Sequence, residues 1–188
     1  MRIVTALVVF VCAIPAVAQS SQASENVFQA ALRNIPDMLQ GVQHSFPNSN
    51  FAIADRATGG AKKRLHEFAD KFFGPPVAEE LIQSYEENSA VTRSIAAGNV
   101  SGIPILAVER FSSGDTTYDW ERLNVTYPNV RSVVRVSFPA VDRQSTYAVV
   151  RYDVISSAGP EWTVFEKFEK QANGSWKAEA GSAGSLRE

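Results

Sequence analysis

The chain has 188 residues, 45% of them hydrophobic, and its 18 basic and 20 acidic side chains leave a net charge of −2. That length is enough for one domain with its own core, and the near-balanced charge says nothing of partner type. Arg56, Lys62, Lys63 and Arg64 make only a small basic patch, followed at once by Glu67 and Asp70, which reads as a solvated face and not as a nucleic-acid stripe. The single cysteine, Cys12, lies among the first 18 residues, so the rest of the chain must be stabilised by packing alone.

Residues 1–18 read as a signal peptide. Arg2 precedes an apolar run from Ile3 to Ile14, and Pro15-Ala16-Val17-Ala18 supplies the small residues that a signal peptidase requires. Cleavage after Ala18 predicts an exported chain, periplasmic or secreted, that begins at Gln19 and forms a single α+β domain over 19–188. The apolar run is too short to span a bilayer. Val9-Phe10-Val11 lacks the small residue that precedes a lipid-modified cysteine. Asn99, Asn124 and Asn173 open formal glycosylation sequons, which matter only on a eukaryotic secretory route; the lean leader and the lack of further cysteines read as bacterial.

Residues 24–98 read as mainly helical. Val27, Phe28, Ala31, Leu32 and Ile35 recur at helical spacing behind Ser24 as a cap, and Pro36 predicts either a kink or two short helices because Met38, Leu39 and Val42 continue the stripe. Phe51 to Asp55 is a short strand. Ala61 to Phe73 and the segment after Pro76 carry two amphipathic helices joined by a tight turn at Gly74. Gly98-Asn99-Val100-Ser101-Gly102 reads as a loop.

Residues 103–180 read as mainly strands. Val130 to Phe138, Thr146 to Val154 and Trp162 to Lys170 alternate with period two, which sets Val134, Val136, Val150 and Tyr152 on one face and Arg135, Arg151 and Asp153 on the other. Asn173-Gly174 predicts a two-residue hairpin turn into Trp176. Trp120, Tyr127 and Trp176 are expected to form a buried seam between the linking segment and that hairpin, and residues 181–185 to fray. The predicted architecture is a mainly helical N-terminal half packed on a curved antiparallel sheet formed by the C-terminal half.

Chemistry is sparse in the sequence. No Gly-x-Ser-x-Gly or Ser-x-x-Lys motif occurs, and no cysteine outside the leader offers a thiolate. His66 and Asp70 stand four apart on a predicted helix and are the only candidate metal pair, but two donors do not make a site. Glu109, Asp115, Asp119 and Glu121 surround Trp120 and are the candidate acids for carboxylate catalysis. No cofactor motif is present.

From Tyr118 onward the residues Trp120, Leu123, Tyr127-Pro128, Val134 to Phe138, Ala148-Val149-Val150 and Gly174-Ser175-Trp176 form a pattern. It resembles a recurring class of exported bacterial proteins of uncharacterised function. Members of that class often carry a glycine- and cysteine-bearing stretch between the last strands, where this chain has Ser156-Ser157-Ala158-Gly159-Pro160. The resemblance implies the fold and the export, and carries no catalytic residue across. The expected function is a non-enzymatic module of the cell envelope that binds a protein or a small ligand. The alternatives are an exported hydrolase using a carboxylate pair, and an inhibitor or immunity-type protein acting on an envelope enzyme.

Overall fold

The computed structural model describes residues 16–42, 46, 49–57, 63–89, 92–114, 117–157, 162–179 and 184–187. Helix α1 runs from Ala16 to Val42 with Pro36 inside it. Its apolar stripe from Val27 to Val42 is buried in the largest core cluster, and this packing holds one helix together across the backbone donor that Pro36 lacks. The division at Pro36 into two short helices does not occur. Ser24, read as a cap, sits within α1 at 5% exposure. The expected cleavage point after Ala18 falls inside this helix, and residues 1–15 of the leader lie outside the described residues.

After α1 come β1 (Phe51–Ala54), β2 (Arg56–Ala57), α2 (Lys63–Phe72), α3 (Val77–Asn88), β3 (Arg93–Ser94), β4 (Gly98–Val100) and β5 (Ile103–Leu106). A 3-10 turn (Glu109–Phe111), α4 (Trp120–Thr126), β6 (Ser132–Val136), β7 (Ala140–Val141), β8 (Tyr147–Ser156), β9 (Trp162–Lys170), β10 (Trp176–Ala178) and β11 (Gly184–Arg187) follow. Nine strands build one sheet in the order β10-β9-β8-β6-β1-β5-β4, with β7 also on β8 and β11 also on β9. The fold is α+β, and the sheet is mixed but mostly antiparallel. Its parallel part arises because β1, from the helical half, inserts between β6 and β5 with Ile53 beside both Val134 and Ile105. The expected fraying of residues 181–185 is corrected in part: Gly184 and Ser185 pair with Phe165 and Val164 as the start of β11.

Register decides what each face of the sheet meets. Ile53, Val134, Val154 and their neighbours Val136, Tyr152 and Val164 pack beneath α1. On the opposite face Ala140, Val149 and Phe165 lie under α2 and α3. Ala52, Ala54, Val133 and Ile155 lie on that same face under the segment that holds the 3-10 turn and α4. Helices therefore cover both faces, and side chains that alternate with the apolar row are buried as well.

Two turns exchange the roles that the sequence assigns them. Ser101 and Gly102 have φ of 49° and 89° and join Val100 directly to Ile103, so the expected loop is a tight hairpin of the primed kind. At the other hairpin only Gly174 has positive φ, 81°, and its N–H donates to the Gln171 carbonyl at 2.8 Å. Ala172 and Asn173 are the central turn residues, and the Asn173 side chain instead accepts from the Ser175 N–H at 3.0 Å.

The expected aromatic seam does not form. Trp176 belongs to the α1 cluster at 8% exposure, whereas Trp120 and Tyr127 are half-buried on the other face around Leu123. Trp176→Ala is expected to cost about 3–5 kcal/mol, as emptying a large buried aromatic site does, read as a lowered urea midpoint at unchanged slope.

One carboxylate is buried beneath α1. Glu166 accepts from the Asn34 amide at 2.5 Å and is 7% exposed, and burial pushes its pKa from 4.5 up to about 7. The folded chain therefore holds this proton more tightly than the unfolded chain does. Stability from this group is complete below pH 4.5 and is lost as pH rises through about 7, a fall of roughly 3 kcal/mol. Glu166→Gln should abolish that fall: its melting temperature should exceed that of the parent at pH 8 and match it at pH 4.5. Equal differences at both pH values would contradict the assignment.

Candidate functional site

Two polar regions stand out among the described residues, and they differ in whether they leave room for a ligand. The first lies on the sheet face opposite α1, between the two apolar clusters there. Arg135 of β6 sits opposite Asp153 of β8, which sits opposite Thr163 of β9. Arg151 Nε donates to Asp153 Oδ1 at 2.7 Å, and Thr163 Oγ1 donates to the same oxygen at 2.9 Å. Burial pushes the Asp153 carboxyl up, while Arg151 and the Thr163 hydroxyl oppose this. The Arg135 guanidinium meets Glu109 through Nε at 2.9 Å and Ser112 Oγ through Nη2 at 2.9 Å. It also lies 4.8 Å from the centre of the Tyr118 ring. Tyr118 donates its hydroxyl to Glu109 Oε1 at 2.5 Å, and burial pushes that phenol far up, so it is a neutral donor at any ordinary pH.

This network is closed to solvent, with Arg135, Arg151 and Asp153 all buried, although Arg151 Nη1 has no hydrogen-bond partner among the described residues. Glu109 Oε1 receives two donors, Asp153 Oδ1 receives two, and the tyrosine proton is already committed. A general acid or base must reach substrate with a proton or a lone pair, and neither carboxylate presents one to an open space. The arrangement locks the linking segment onto the sheet.

The second region is an open cleft of about 890 Å³, within the usual range of 300–1,000 Å³ for ligand sites. Glu80, Gln83, Ser84 and Glu87 recur at three and four along α3 and form one wall. Gln22, Ala23 and Asn26 of α1 form the second wall. The third is the turn between β7 and β8, Asp142 to Ser145, with Lys170 and Trp176 at its side. The turn is firmly held. Asp142 Oδ1 accepts from the N–H groups of Thr146 and Tyr147, both at 2.7 Å, and Ser145 takes φ of 53°. Ser84 Oγ accepts from the Val141 N–H at 3.0 Å, and Glu80 accepts from the Arg143 N–H at 3.1 Å. Both outward amides are thus satisfied by α3, which fixes the distance between two of the walls.

None of the sequence candidates among the described residues lines this cleft. Glu109 belongs to the closed network. Asp119 is the N-cap of α4 and accepts from the Arg122 N–H at 3.1 Å, while Glu121 is exposed in the first turn of that helix. Asp115 lies outside the described residues. Glu109 is thus bound to Arg135, Asp119 to its helix cap, and Glu121 faces solvent. His66 and Asp70 are both exposed on α2, and no group of three or more metal donors occurs among the described residues. The cleft itself escapes the sequence reading because Glu80 and Glu87 look like solvated helix acids. The signal that could have shown it is the Glu80, Gln83, Ser84, Glu87 stripe beside the apolar Ala78, Leu81, Tyr85 stripe.

No known family model, curated protein or solved structure matches the chain. No helix among the described residues is long and apolar enough to cross a membrane.

Arg135 and Glu109 can be tested as a unit. Arg135→Ala should destabilise by about 3–5 kcal/mol because it leaves the half-buried Glu109 without its partner. The double variant with Glu109→Ala should cost clearly less than the sum of the single variants. Additive costs in urea unfolding would show that the two side chains do not act together.

Proposed function

We propose that this chain is an exported, non-enzymatic binding module of the bacterial cell envelope that holds its ligand in the cleft between α1, α3 and the β7–β8 turn. The observation that carries the reading is the contrast between the two polar regions. One network is buried between packed layers, with its carboxylates committed to Arg135, Tyr118, Arg151 and Thr163, whereas the cleft is open, of ligand size and walled by side chains from three fixed elements. Export rests on the leader, with Ala16 and Ala18 ahead of the cut, and on the resemblance of the C-terminal half to exported bacterial proteins. A hydrolase using Glu109, Asp115, Asp119 or Glu121 gains no support, since Glu109 is committed to Arg135 and Asp119 to its helix cap.

A ligand that binds only the folded state raises the melting temperature. Neutral sugars, amino acids, short peptides and nucleotides are the probes, tested on the parent chain and on Asn26→Trp, which fills the cleft from an exposed position of α1. At least one probe class should raise the melting temperature of the parent, the effect should vanish in Asn26→Trp, and Glu109→Gln should retain it. Stabilisation that survives in Asn26→Trp and is lost in Glu109→Gln would move the site to the other face of the sheet.

A further inference from the structure

We infer that the cleft takes a neutral, hydroxyl-rich ligand of the oligosaccharide class; this rests on the cleft being the binding site proposed above. The lining sets the chemistry. Gln22, Asn26, Gln83 and Gln144 bring four side-chain amides to one opening. Gln22 Nε2 donates to Asn26 Oδ1 at 3.2 Å, and because each amide carries two N–H donors beside an acceptor oxygen, that bond leaves further positions on both. Vicinal hydroxyls on a sugar both donate and accept, so they match planar amides two bonds at a time. An apolar ligand would strip water from these groups and return nothing.

Charge argues in the same direction. Glu80, Glu87 and Asp142 face Arg143 and Lys170 across the cleft, so a strongly ionic ligand of either sign meets its own charge on a wall. Two of the acids are also occupied with backbone: Asp142 holds the turn, and Glu80 accepts from the Arg143 N–H. Arg143 Nη2 donates to Gln83 Oε1 at 3.3 Å, and Gln83 Nε2 donates to Glu87 at 3.1 Å. This chain of planar groups runs across the exposed mouth and leaves further donor and acceptor positions on each member.

A peptide would most readily enter by adding a strand, and at the β7–β8 turn the amides that would receive it are occupied. The outward N–H groups of Val141 and Arg143 are already taken by Ser84 and Glu80. Recognition must therefore run through side chains. Ala23, Val141 and Trp176 also reach this lining, but each is buried at 8% exposure, so the polar side chains dominate what a ligand meets.

The test is isothermal titration of the full chain with short neutral oligomers of glucose, xylose and N-acetylglucosamine. An oligomer of glucuronic acid and a set of short peptides are the contrasting probes. At least one neutral oligomer should bind, with a Kd that changes less than about twofold between low and high salt, because no ion pair is formed. Gln83→Ala should weaken it by at least about tenfold, close to 1.4 kcal/mol, at an unchanged melting temperature, and Gln22→Ala should weaken it independently. Binding of the acidic oligomer or of a peptide in the cleft, with none of the neutral oligomers bound, would overturn the ligand class and leave the cleft as the site. Neutral-oligomer binding that is untouched in both variants would overturn the class and the site together, as would a cleft that no probe enters.

Discussion

Eight of the ten residues of β8 are buried, and most of the structure answers to that constraint. A strand buried on both faces cannot leave its alternate side chains to water. Ala148, Val150, Tyr152 and Val154 meet α1, while Val149, Arg151, Asp153 and Ile155 are enclosed by the opposite layer. Arg151 and Asp153 then have to neutralise each other within one strand, and Thr163 donates a further bond to Asp153 at 2.9 Å, while Arg151 Nη1 is left without a partner among the described residues. Arg135, one strand away, meets the same demand with Glu109 and Tyr118. The charged residues on this face are therefore a consequence of two-sided burial. Coulomb attraction within each pair offsets the cost of leaving water, and removing one partner would leave the other charge buried and uncompensated.

The cleft depends on the same strand. The β7–β8 turn is the end of β8 that projects from between the layers, and α3 reaches it because its apolar stripe is seated on Val149 and Phe165 below. Ser84 and Glu80, one turn of α3 apart, then lie within bonding distance of the Val141 and Arg143 amides. Packing on one stripe of α3 thus aims the neighbouring polar stripe at the turn. The walls of the cleft are set by the core, so a ligand meets them with little left to order.

Much of the fold is legible in the sequence, and the parts that are not have a common cause. The strands β8 and β9, the helices α2 and α3 and the facing of Tyr152 against Arg151 follow from local periodicity. Periodicity does not report what covers the second face: a strand with alternating polar residues reads the same whether those residues meet water or one another. Glu109 is identifiable as an acid in the linking segment, but its partner Arg135 stands 26 positions away and only the sheet brings them together. Turn types are misread for a similar reason. Asn173-Gly174 carries the stronger dipeptide signal, yet Ser101-Gly102 forms the tight reversal, since the register between β4 and β5 leaves two residues between Val100 and Ile103. The four-residue polar stripe of α3 is visible in the sequence, and its meaning is not, because solvated and ligand-facing acids look alike.

The central claim is that the cleft, and not the buried Arg135 network, is where this protein meets its ligand. Amide chemical shifts of isotope-labelled protein, followed while a bound neutral oligosaccharide is titrated in, test it most directly. The account predicts shifts concentrated at residues 22–26, 80–87, 141–145 and 170–176, with residues 109–118 and 135 unmoved. Shifts centred on Glu109, Tyr118 and Arg135 with the α3 stripe silent would contradict it.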